Sequence, residues 1–318
     1  GLCHHGIHLW QSSDTKSLKN YIQDFLQILL ETFQRGGSVI IPSFAVGRTQ
    51  ELLYFLKQIK EQNLLGKYQD VPIYVDSPLA IEATEIFQRN KESCFDEEAL
   101  AYVQRGENPI GVSGLRTAVT SEASMAINAD TRSKIVISAS GMCEAGRIKH
   151  HLKHNLWKPE NTILFVGYQA VGTLGRRLLE GANYVTLFGE SVKVAAQIRQ
   201  LQGMSGHADQ KGLELWIQHV QQVKKVFVIH GETTAADTFT ELLNEQGISA
   251  YAPYSGTEFD VASGQFLHEA EPVYLEKPKS VKASATYDRL QIALDRVTAY
   301  IQNARGYSNK ELARWQTS

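Results

Sequence analysis

The chain has 318 residues, 43% hydrophobic and 21% charged, which suits one large globular domain or two interlocked ones. Its formal net charge of −2 excludes a protein that holds a polyanion by bulk basicity, so any nucleic-acid contact must come from local patches. The sequence contains no run of about 18 apolar residues, the length that predicts a membrane span. Cys3, Cys94 and Cys143 are far apart and form no CxxC pattern, which favours reduced thiols in a cytoplasmic protein.

Strands and helices alternate up to about residue 183. Apolar residues from Leu18 to Phe33 keep helical spacing and stop at Gly36-Gly37, and a short buried strand follows at residues 38–41. The alternation continues with helices at 50–60, 81–90, 147–156 and 174–179, and with strands at 72–75, 134–138 and 162–166. This rhythm predicts a doubly wound parallel sheet of the α/β class. Residues 93–130 break it and are interpreted as an excursion that covers the sheet.

The pattern changes from Tyr184 onward. Residues 185–188 and 192–198 are predicted to be adjacent strands joined by a tight turn at Gly189. The following elements are a helix at 212–221, a strand at 226–229, a helix at 233–245 and a strand at 249–253. A linker rich in Pro and Lys, residues 272–282, leads into a last amphipathic helix at 283–303.

Two histidines carry the strongest chemical signal. His207 lies in a turn of small residues just before a helix, and His230 ends an apolar run that is predicted to be a buried parallel strand. Two imidazoles at the same end of a sheet suit metal-assisted hydrolysis. Asp209 either orients His207 by a hydrogen bond or serves as a plain N-cap of the next helix. No His-x-His-x-Asp-His cluster occurs in the sequence to complete a metal site.

Two loops are candidates for holding a phosphate group. Ser140 and Gly141 lie between a strand end and a helix start, with Arg147 shortly afterwards. Backbone N–H groups and a guanidinium at such a place bind anions, although a tight turn with a surface salt bridge explains the residues equally well. Arg48 allows the same two interpretations.

Arg176 and Arg177 form a third candidate. They follow Gly175 at the start of the predicted helix 174–179. The N-terminal end of a helix is unfavourable for cations unless an anion lies nearby. The position therefore favours a phosphate contact for one of the two arginines.

Other polar groups are interpreted as structural. His150, His151 and His154 lie on a Lys-rich helix and lack the glutamate of a His-Glu-x-x-His motif, which predicts a solvated face. Asp76, at a strand tip beside Pro78, is predicted to cap the next turn.

Ordered motifs resemble one family. They are Gly36-Gly37-Ser38-Val39-Ile40-Ile41-Pro42-Ser43-Phe44-Ala45-Val46-Gly47-Arg48-Thr49-Gln50-Glu51, Val75-Asp76-Ser77-Pro78-Leu79-Ala80, Ser138-Ala139-Ser140-Gly141-Met142 with Gly146-Arg147, Gly172-Thr173-Leu174-Gly175-Arg176-Arg177, Ser205-Gly206-His207-Ala208-Asp209 and His230-Gly231-Glu232. In this order they resemble the β-CASP family of metallo-β-lactamase-fold ribonucleases, and in particular bacterial and archaeal homologues of the endonuclease that cuts pre-mRNA at its 3′ end.

The resemblance implies a division of the chain. Residues 20–183 would be the β-CASP cap and residues 184–270 the C-terminal part of a metallo-β-lactamase αββα sandwich. A divergent segment, residues 1–19, would precede the cap, and residues 271–318 would be a linker and helix. In this family two zinc ions are held largely by an N-terminal half whose motifs this sequence lacks, so we expect a truncated chain that is inactive alone.

The resemblance also implies roles for single residues. His207 would act on the leaving group with Asp209 beside it, and His230 would ligate zinc. RNA would be the partner of the three arginine-bearing loops.

Two alternatives remain open. Besides a piece of a zinc-dependent ribonuclease that hydrolyses RNA phosphodiester bonds, the chain would be a non-catalytic RNA-binding pseudoenzyme or one half of a split nuclease completed by a second polypeptide. Strands at 185–198 and 226–229 would leave an open edge and an exposed apolar face, so we also expect a homodimer, aggregation or a complementing N-terminal half.

Overall fold

A computed structural model describes residues 18–201 and 208–273, which fall into two compact units that divide after His219. The helices of the first unit are α1 (Leu18–Gln34), α2 (Arg48–Glu61), α3 (Pro78–Arg89), α4 (Lys91–Cys94), α5 (Glu97–Gln104), α6 (Ser121–Ala129), α7 (Ile148–Asn155), α8 (Leu174–Leu179) and α9 (Gln210–Gln218). Its strands are β1 (Val39–Pro42), β2 (Ile73–Val75), β3 (Leu115–Thr117), β4 (Ile135–Ser138), β5 (Thr162–Phe165), β6 (Tyr184–Leu187), β7 (Glu190–Lys193) and β8 (Gln197–Gln200). Within the described ranges, none of the helices combines the length and apolarity needed to cross a bilayer.

A parallel six-stranded sheet forms the centre of the first unit. Its strand order is β3-β2-β4-β1-β5-β8, with Ile40 of β1 opposite Val136 of β4 and Ile163 of β5. β1, β2, β4 and β5 are buried along their whole length, as expected for parallel strands covered on both faces. The predicted doubly wound α/β sheet is confirmed.

Helices cover the two faces of the sheet as two hydrophobic cores. Ile41 of β1 packs in one core with side chains of α1 and α2, among them Phe25 and Leu56. Its neighbour Ile40 points the other way and packs with α7 and α8, through Leu152 and Leu178. Each such side chain contributes about 1.5–3 kcal/mol when fully buried, so both faces stabilise the position of β1.

Residues 93–130 contribute a strand as well as helices. β3 lies within this polar stretch and pairs with β2, with Arg116 opposite Tyr74. It is an edge strand with largely exposed side chains, so it lacks the apolar run that reveals a central strand. The interpretation of this stretch as a mere covering excursion was therefore incomplete.

The strand predicted over residues 192–198 divides into two. β6 and β7 form the predicted hairpin around Gly189, but β8 joins the large sheet, with Ile198 opposite Ile163. The N–H groups of Ala195 and Ala196 both donate to the carbonyl of Leu156 at 2.8 Å, which ends the hairpin strand. This main-chain contact between distant residues has no signature in the local sequence.

The second unit contains β9 (Val226–Phe227), α10 (Thr233–Glu245), β10 (Ala250–Tyr251), β11 (Glu258–Asp260) and β12 (Gln265–His268). β9 and β10 are parallel, as predicted, but Val226 and Phe227 are only half-buried and Ile229 is 81% exposed. The strand predicted at 226–229 exists, but the prediction that it is buried was wrong.

Ring contacts among Phe227, Tyr251, Phe259 and Phe266, with centroids 4.7–6.5 Å apart, stabilise the second unit. The predicted helix at 283–303 lies outside the described residues.

A buried ionic cluster ties β2, α6 and α7 together. Asp76 follows β2 directly and is fully buried. One carboxylate oxygen accepts from Nη1 of Arg147 at 2.8 Å, and the other accepts from Oγ of Ser124 at 2.5 Å and contacts Nε2 of His151 at 2.6 Å. Burial tends to raise the pKa of the Asp76 carboxyl, but the hydrogen bonds from His151, Ser124 and Arg147 outweigh burial and hold that pKa below 3.8.

This cluster corrects two predictions. Asp76 does not cap the next turn, because Oγ of Ser77 accepts from the N–H of Ala80 and begins α3. His151 is not part of a solvated face but is fully buried, because it lies on the same side of α7 as Ile148 and Leu152.

α1 ends in a Schellman motif. Gly36 adopts φ +73° and donates to the carbonyl of Phe33, and Gly37 donates to the carbonyl of Thr32, both at 3.0 Å. A β-carbon on Gly37 would lie 1.9 Å from the carbonyl oxygen of Glu160, so no other residue fits there without a backbone shift. A β-carbon on Gly36 would meet nothing within 4 Å.

The two glycines give a stability prediction. We expect Gly37→Ala to lower the free energy of unfolding by about 2–3 kcal/mol. The new methyl group would clash with the main chain of Glu160, so the backbone at one of the two residues must shift. Gly36→Asn is the matched control and should lower it by less than about 1 kcal/mol, since Asn tolerates the left-handed conformation. Urea unfolding of the purified variants measures both, and equal losses would contradict the clash.

The Asp76 cluster gives a second prediction. Asp76→Asn should lower the free energy of unfolding at neutral pH by about 3 kcal/mol, because it leaves the charge of Arg147 without its buried counterion. The low pKa of Asp76 means that its stabilising effect is present above about pH 4 and is lost as the pH falls through the folded-state pKa. The difference between wild type and variant should therefore shrink as the pH falls below about 4.

Glu190→Gln is the control for charge removal. Glu190 pairs with Lys153 at 2.6 Å, and its side chain is 65% exposed. Its loss should lower the unfolding free energy by no more than about 1 kcal/mol. An equal effect of the two substitutions would contradict the special role of Asp76.

Candidate functional site

Three loops that bear candidate residues meet at the carboxyl edge of the six-stranded sheet. They follow the adjacent strands β4, β1 and β5. Nε2 of Gln169, after β5, donates to the carbonyl of Gly141, after β4, at 2.9 Å, and Gly175 donates to the carbonyl of Met142 at 3.2 Å. A β-carbon on Gly141 would lie 3.0 Å from the ring of Phe44, which follows β1. The structure thus brings the loops of Arg48, Ser140 and Arg176 to one place.

The same edge is a topological switch point. α2 leaves β1 toward the sheet face that Ile41 faces, whereas α7 and α8 leave β4 and β5 toward the opposite face. Loops that diverge in this way leave a crevice outside the strand ends, which is where open α/β sheets bind ligands. By this rule the space between these loops, called the switch-point crevice below, is the candidate site.

Arg48 lies in the first turn of α2 and is only 15% exposed. Its Nη1 donates to Glu51 at 2.5 Å. Burial raises the pKa of the Glu51 carboxyl, and the positive charge of Arg48 offsets part of that rise. Arg48 therefore has an intramolecular counterion, as the salt-bridge interpretation of this loop required.

The loop after β4 is held by its own hydrogen bonds. Oγ of Ser140 donates to the carbonyl of Ala145 at 3.2 Å and accepts from its N–H at 3.3 Å. Gly141 is buried under Phe44. Both residues shape the floor of the crevice.

Arg147 belongs to the cluster around Asp76. Besides Asp76, its guanidinium donates to the carbonyls of Ala118 at 2.8 Å and Val119 at 2.7 Å. Three of its five N–H groups are thus used within the protein, and the side chain holds the β4 and β3 loops together. This geometry favours a positioning role for Arg147 over a phosphate contact.

The two arginines of α8 differ in their surroundings. An anion does lie near the helix start, but it is the protein's own Glu144, which accepts from the N–H of Leu174 at 2.6 Å. Arg176 donates to Glu180 at 2.7 Å. Arg177 is exposed and, within the described ranges, has no carboxylate at ion-pair distance. It is the better candidate of the pair for an external anion.

The structure describes only one of the two histidine candidates. His207 is not among the described residues. Asp209 is the N-cap of α9 and accepts from the N–H of Gly212 at 2.8 Å, the arrangement expected of a plain cap. His230 is exposed in the second unit. Across residues 18–201 and 208–273, no three His, Cys, Asp or Glu side chains come close enough together to hold a metal ion.

Sequence reasoning assigned no role to two residues that build the crevice. Gln169 is buried and its Nε2 donates to the carbonyls of Gly141, Gly167 and Tyr168, so it joins two loops. Phe44 contacts the loop after β4 and is 44% exposed. An aromatic residue just after a central strand was the available signal for Phe44, whereas nothing in the local sequence indicates the contacts of Gln169.

Comparison with known proteins identifies two family matches. Residues 49–178 match the Beta-Casp domain, and residues 191–253 match the Zn-dependent metallo-hydrolase RNA specificity domain. The first match contains β2, β3, β4 and β5 and the loops that follow β4 and β5, and the second contains β8, α9 and the strands around His230. Together they cover more than half of the chain.

Several curated proteins are similar in sequence. Ribonuclease TTHA0252 of Thermus thermophilus is 38% identical over 226 residues, which cover 71% of this chain and 50% of that protein. The transcription termination factor FttA of Methanosarcina mazei is 30% identical over 69% of this chain and 35% of its own. The RNase J-like protein of Methanocaldococcus jannaschii is 31% identical over 75% of this chain and 54% of its own.

The chain spans about a third to a half of the length of these relatives. The two matched domains follow one another in the order of the motifs read from the sequence. The fold around them is the α/β fold with a parallel six-stranded sheet that these motifs predict. The chain belongs to the β-CASP family of metallo-β-lactamase-fold ribonucleases.

Proposed function

We propose that the protein is a zinc-dependent ribonuclease that hydrolyses phosphodiester bonds of single-stranded RNA. The observation that carries this proposal is the convergence of the arginine-bearing loops at the switch point of the sheet, in a chain of the β-CASP family. An RNA strand in this crevice would place a phosphate beside Arg177, with Arg48 and Arg176 lining the approach.

In the proposed reaction the two histidines have separate tasks. His207 gives a proton to the 3′-oxygen that leaves the phosphodiester, and Asp209 fixes the start of the helix that follows His207. His230 is proposed as one zinc ligand, since a neutral imidazole is a common ligand of this ion. The description of the matched domain as Zn-dependent supports the choice of metal.

The described residues do not form a zinc site by themselves. A zinc ion in an enzyme needs at least three protein ligands, and His230 has no two partners of that kind among residues 18–201 and 208–273. No metal-dependent step is therefore derived from these residues. The same observation favours a second candidate function for residues 1–318 alone, RNA binding without cleavage.

RNA is the partner named by this proposal. A second copy of the chain or a complementing polypeptide is the other proposed partner, because α9 exposes the apolar side chains of Leu215 and Trp216. We place the protein in the cytoplasm, in agreement with the free thiol of Cys143.

A cleavage assay tests whether residues 1–318 are sufficient for catalysis. We expect purified residues 1–318 to bind single-stranded RNA and not to cleave it, with or without added zinc, because residues 18–201 and 208–273 offer too few metal ligands. The measurement is gel analysis of an end-labelled oligonucleotide after incubation. Cleavage that disappears in His207→Ala would contradict this expectation and would make the isolated chain an active enzyme.

A salt-dependence measurement tests the proposed phosphate contact of Arg177. Arg177→Gln should weaken RNA binding at low salt and reduce the slope of log K against log salt concentration by about 0.7, the value for one phosphate contact on a single strand. Arg176→Gln removes the same charge from the same helix turn and is the matched control. Because Arg176 is already paired with Glu180, its slope should change less. Equal changes, or none in either variant, would exclude the contact.

A further inference from the structure

One aromatic ring occupies the switch-point crevice with part of its surface exposed. Phe44 lies two residues after the end of β1, between the loops that follow β4 and β5. It is 44% exposed, although the rest of this region of β1 is buried. A large apolar side chain at the ligand-binding edge of an α/β sheet calls for an explanation in terms of binding.

Two glycines lie beside the ring of Phe44 and leave room for it. A β-carbon on Gly141 would lie 3.0 Å from Cδ2 and 3.1 Å from Cε2 of the ring, and one on Gly167 would lie 4.0 Å from Cε2. The absence of a side chain at Gly141 is therefore what admits this edge of the ring. Nearly half of the surface of Phe44 remains open to solvent.

The main chain of Phe44 is also held in place. Its carbonyl accepts from the N–H of Thr49 at 3.3 Å and from Oγ1 of Thr49 at 2.8 Å. Oγ of Ser43 lies 3.0 Å from the same hydroxyl. A ring that is already ordered loses little conformational entropy when a second flat ring stacks on it.

The loop that follows β5, one of the two beside Phe44, carries an exposed aromatic group and leads to an exposed cation. Tyr168, directly after Gly167, is 52% exposed, and Arg177 is exposed on the helix that this loop begins. Exposed aromatic rings beside cations are the combination that binds single-stranded nucleic acid, because bases stack while phosphates pair with charge. An apolar protein segment would use the ring but has no need of the neighbouring cations.

We propose that Phe44 is a base-stacking platform that holds one nucleobase of single-stranded RNA in the switch-point crevice. This inference rests on the proposed function and adds to it the residue that positions the strand. Stacking does not depend on which base is present, so Phe44 fixes the register of the RNA without selecting a sequence.

Substitutions at Phe44 separate stacking from mere apolar bulk. The test measures the dissociation constant of residues 1–318 for a fluorescently labelled oligouridylate by anisotropy. Phe44→Leu keeps an apolar side chain but has no aromatic face, and it should bind about 5- to 100-fold more weakly. Phe44→Trp should bind as tightly as wild type or more tightly. Thermal unfolding of each variant confirms that the fold is intact.

A set of oligonucleotides with one abasic residue locates the stacked base. In wild type, one abasic position should weaken binding by about the same factor as Phe44→Leu, and in Phe44→Leu that position should have no further effect. Trp157→Ala is the matched control: this exposed aromatic residue lies at the opposite edge of the sheet, before β5, and its removal should not change binding.

Three results would overturn the proposed stacking role of Phe44. Wild-type affinity in Phe44→Leu, with RNA bound normally, would overturn the platform and leave the proposed function standing. Equal losses in Phe44→Leu and Trp157→Ala, or additive losses at every abasic position, would also overturn it and point to a general apolar surface for a protein partner. Failure of the wild-type protein to bind RNA at all would overturn both proposals.

Discussion

The central position of β1 is the constraint on which the rest of the first unit depends. β1 lies between β4 and β5, and the helices that follow these neighbours leave toward the opposite face from the helix that follows β1. Two cores must therefore form on the two sides of one short strand, through Ile40 on one side and Ile41 on the other. The same divergence opens the crevice at the carboxyl edge, so fold and candidate site have one cause.

The charged groups near this edge serve mainly to hold loops in place. Asp76 gathers Arg147 and His151 in a buried cluster, and Arg147 in turn fixes the carbonyls that follow β3. Breaking such a cluster leaves an unpaired charge in a low-dielectric region and is therefore strongly unfavourable. The intact cluster thus holds the loops in one geometry. Rigid loops would suit the proposed function, in which this edge of the sheet holds a flexible RNA strand in one register.

Much of the fold could be predicted from the sequence because central parallel strands and amphipathic helices carry regular patterns. β1, β4 and α2 were predictable in this way, and Gly36 marked the end of α1. β3 and β8 were not, because edge strands are short and partly polar and their pairing depends on distant main-chain contacts. The family motifs located the crevice loops, but residue types alone could not tell which guanidinium is paired. Arg147 and Arg177 are alike in sequence and differ only in what surrounds them in space.

The pairing of these cations bears on how RNA would be held. Arg48 and Arg176 each contact a carboxylate of the next helix turn, so much of the local positive charge is already compensated, in a chain whose net charge is −2. Binding by phosphate contacts alone would then be weak at physiological salt. A stacking contact is insensitive to salt and adds affinity without adding charge. Under the proposed function, a few phosphate contacts would guide the strand and one ring would set its register, and this division would also ease the release of cleaved products.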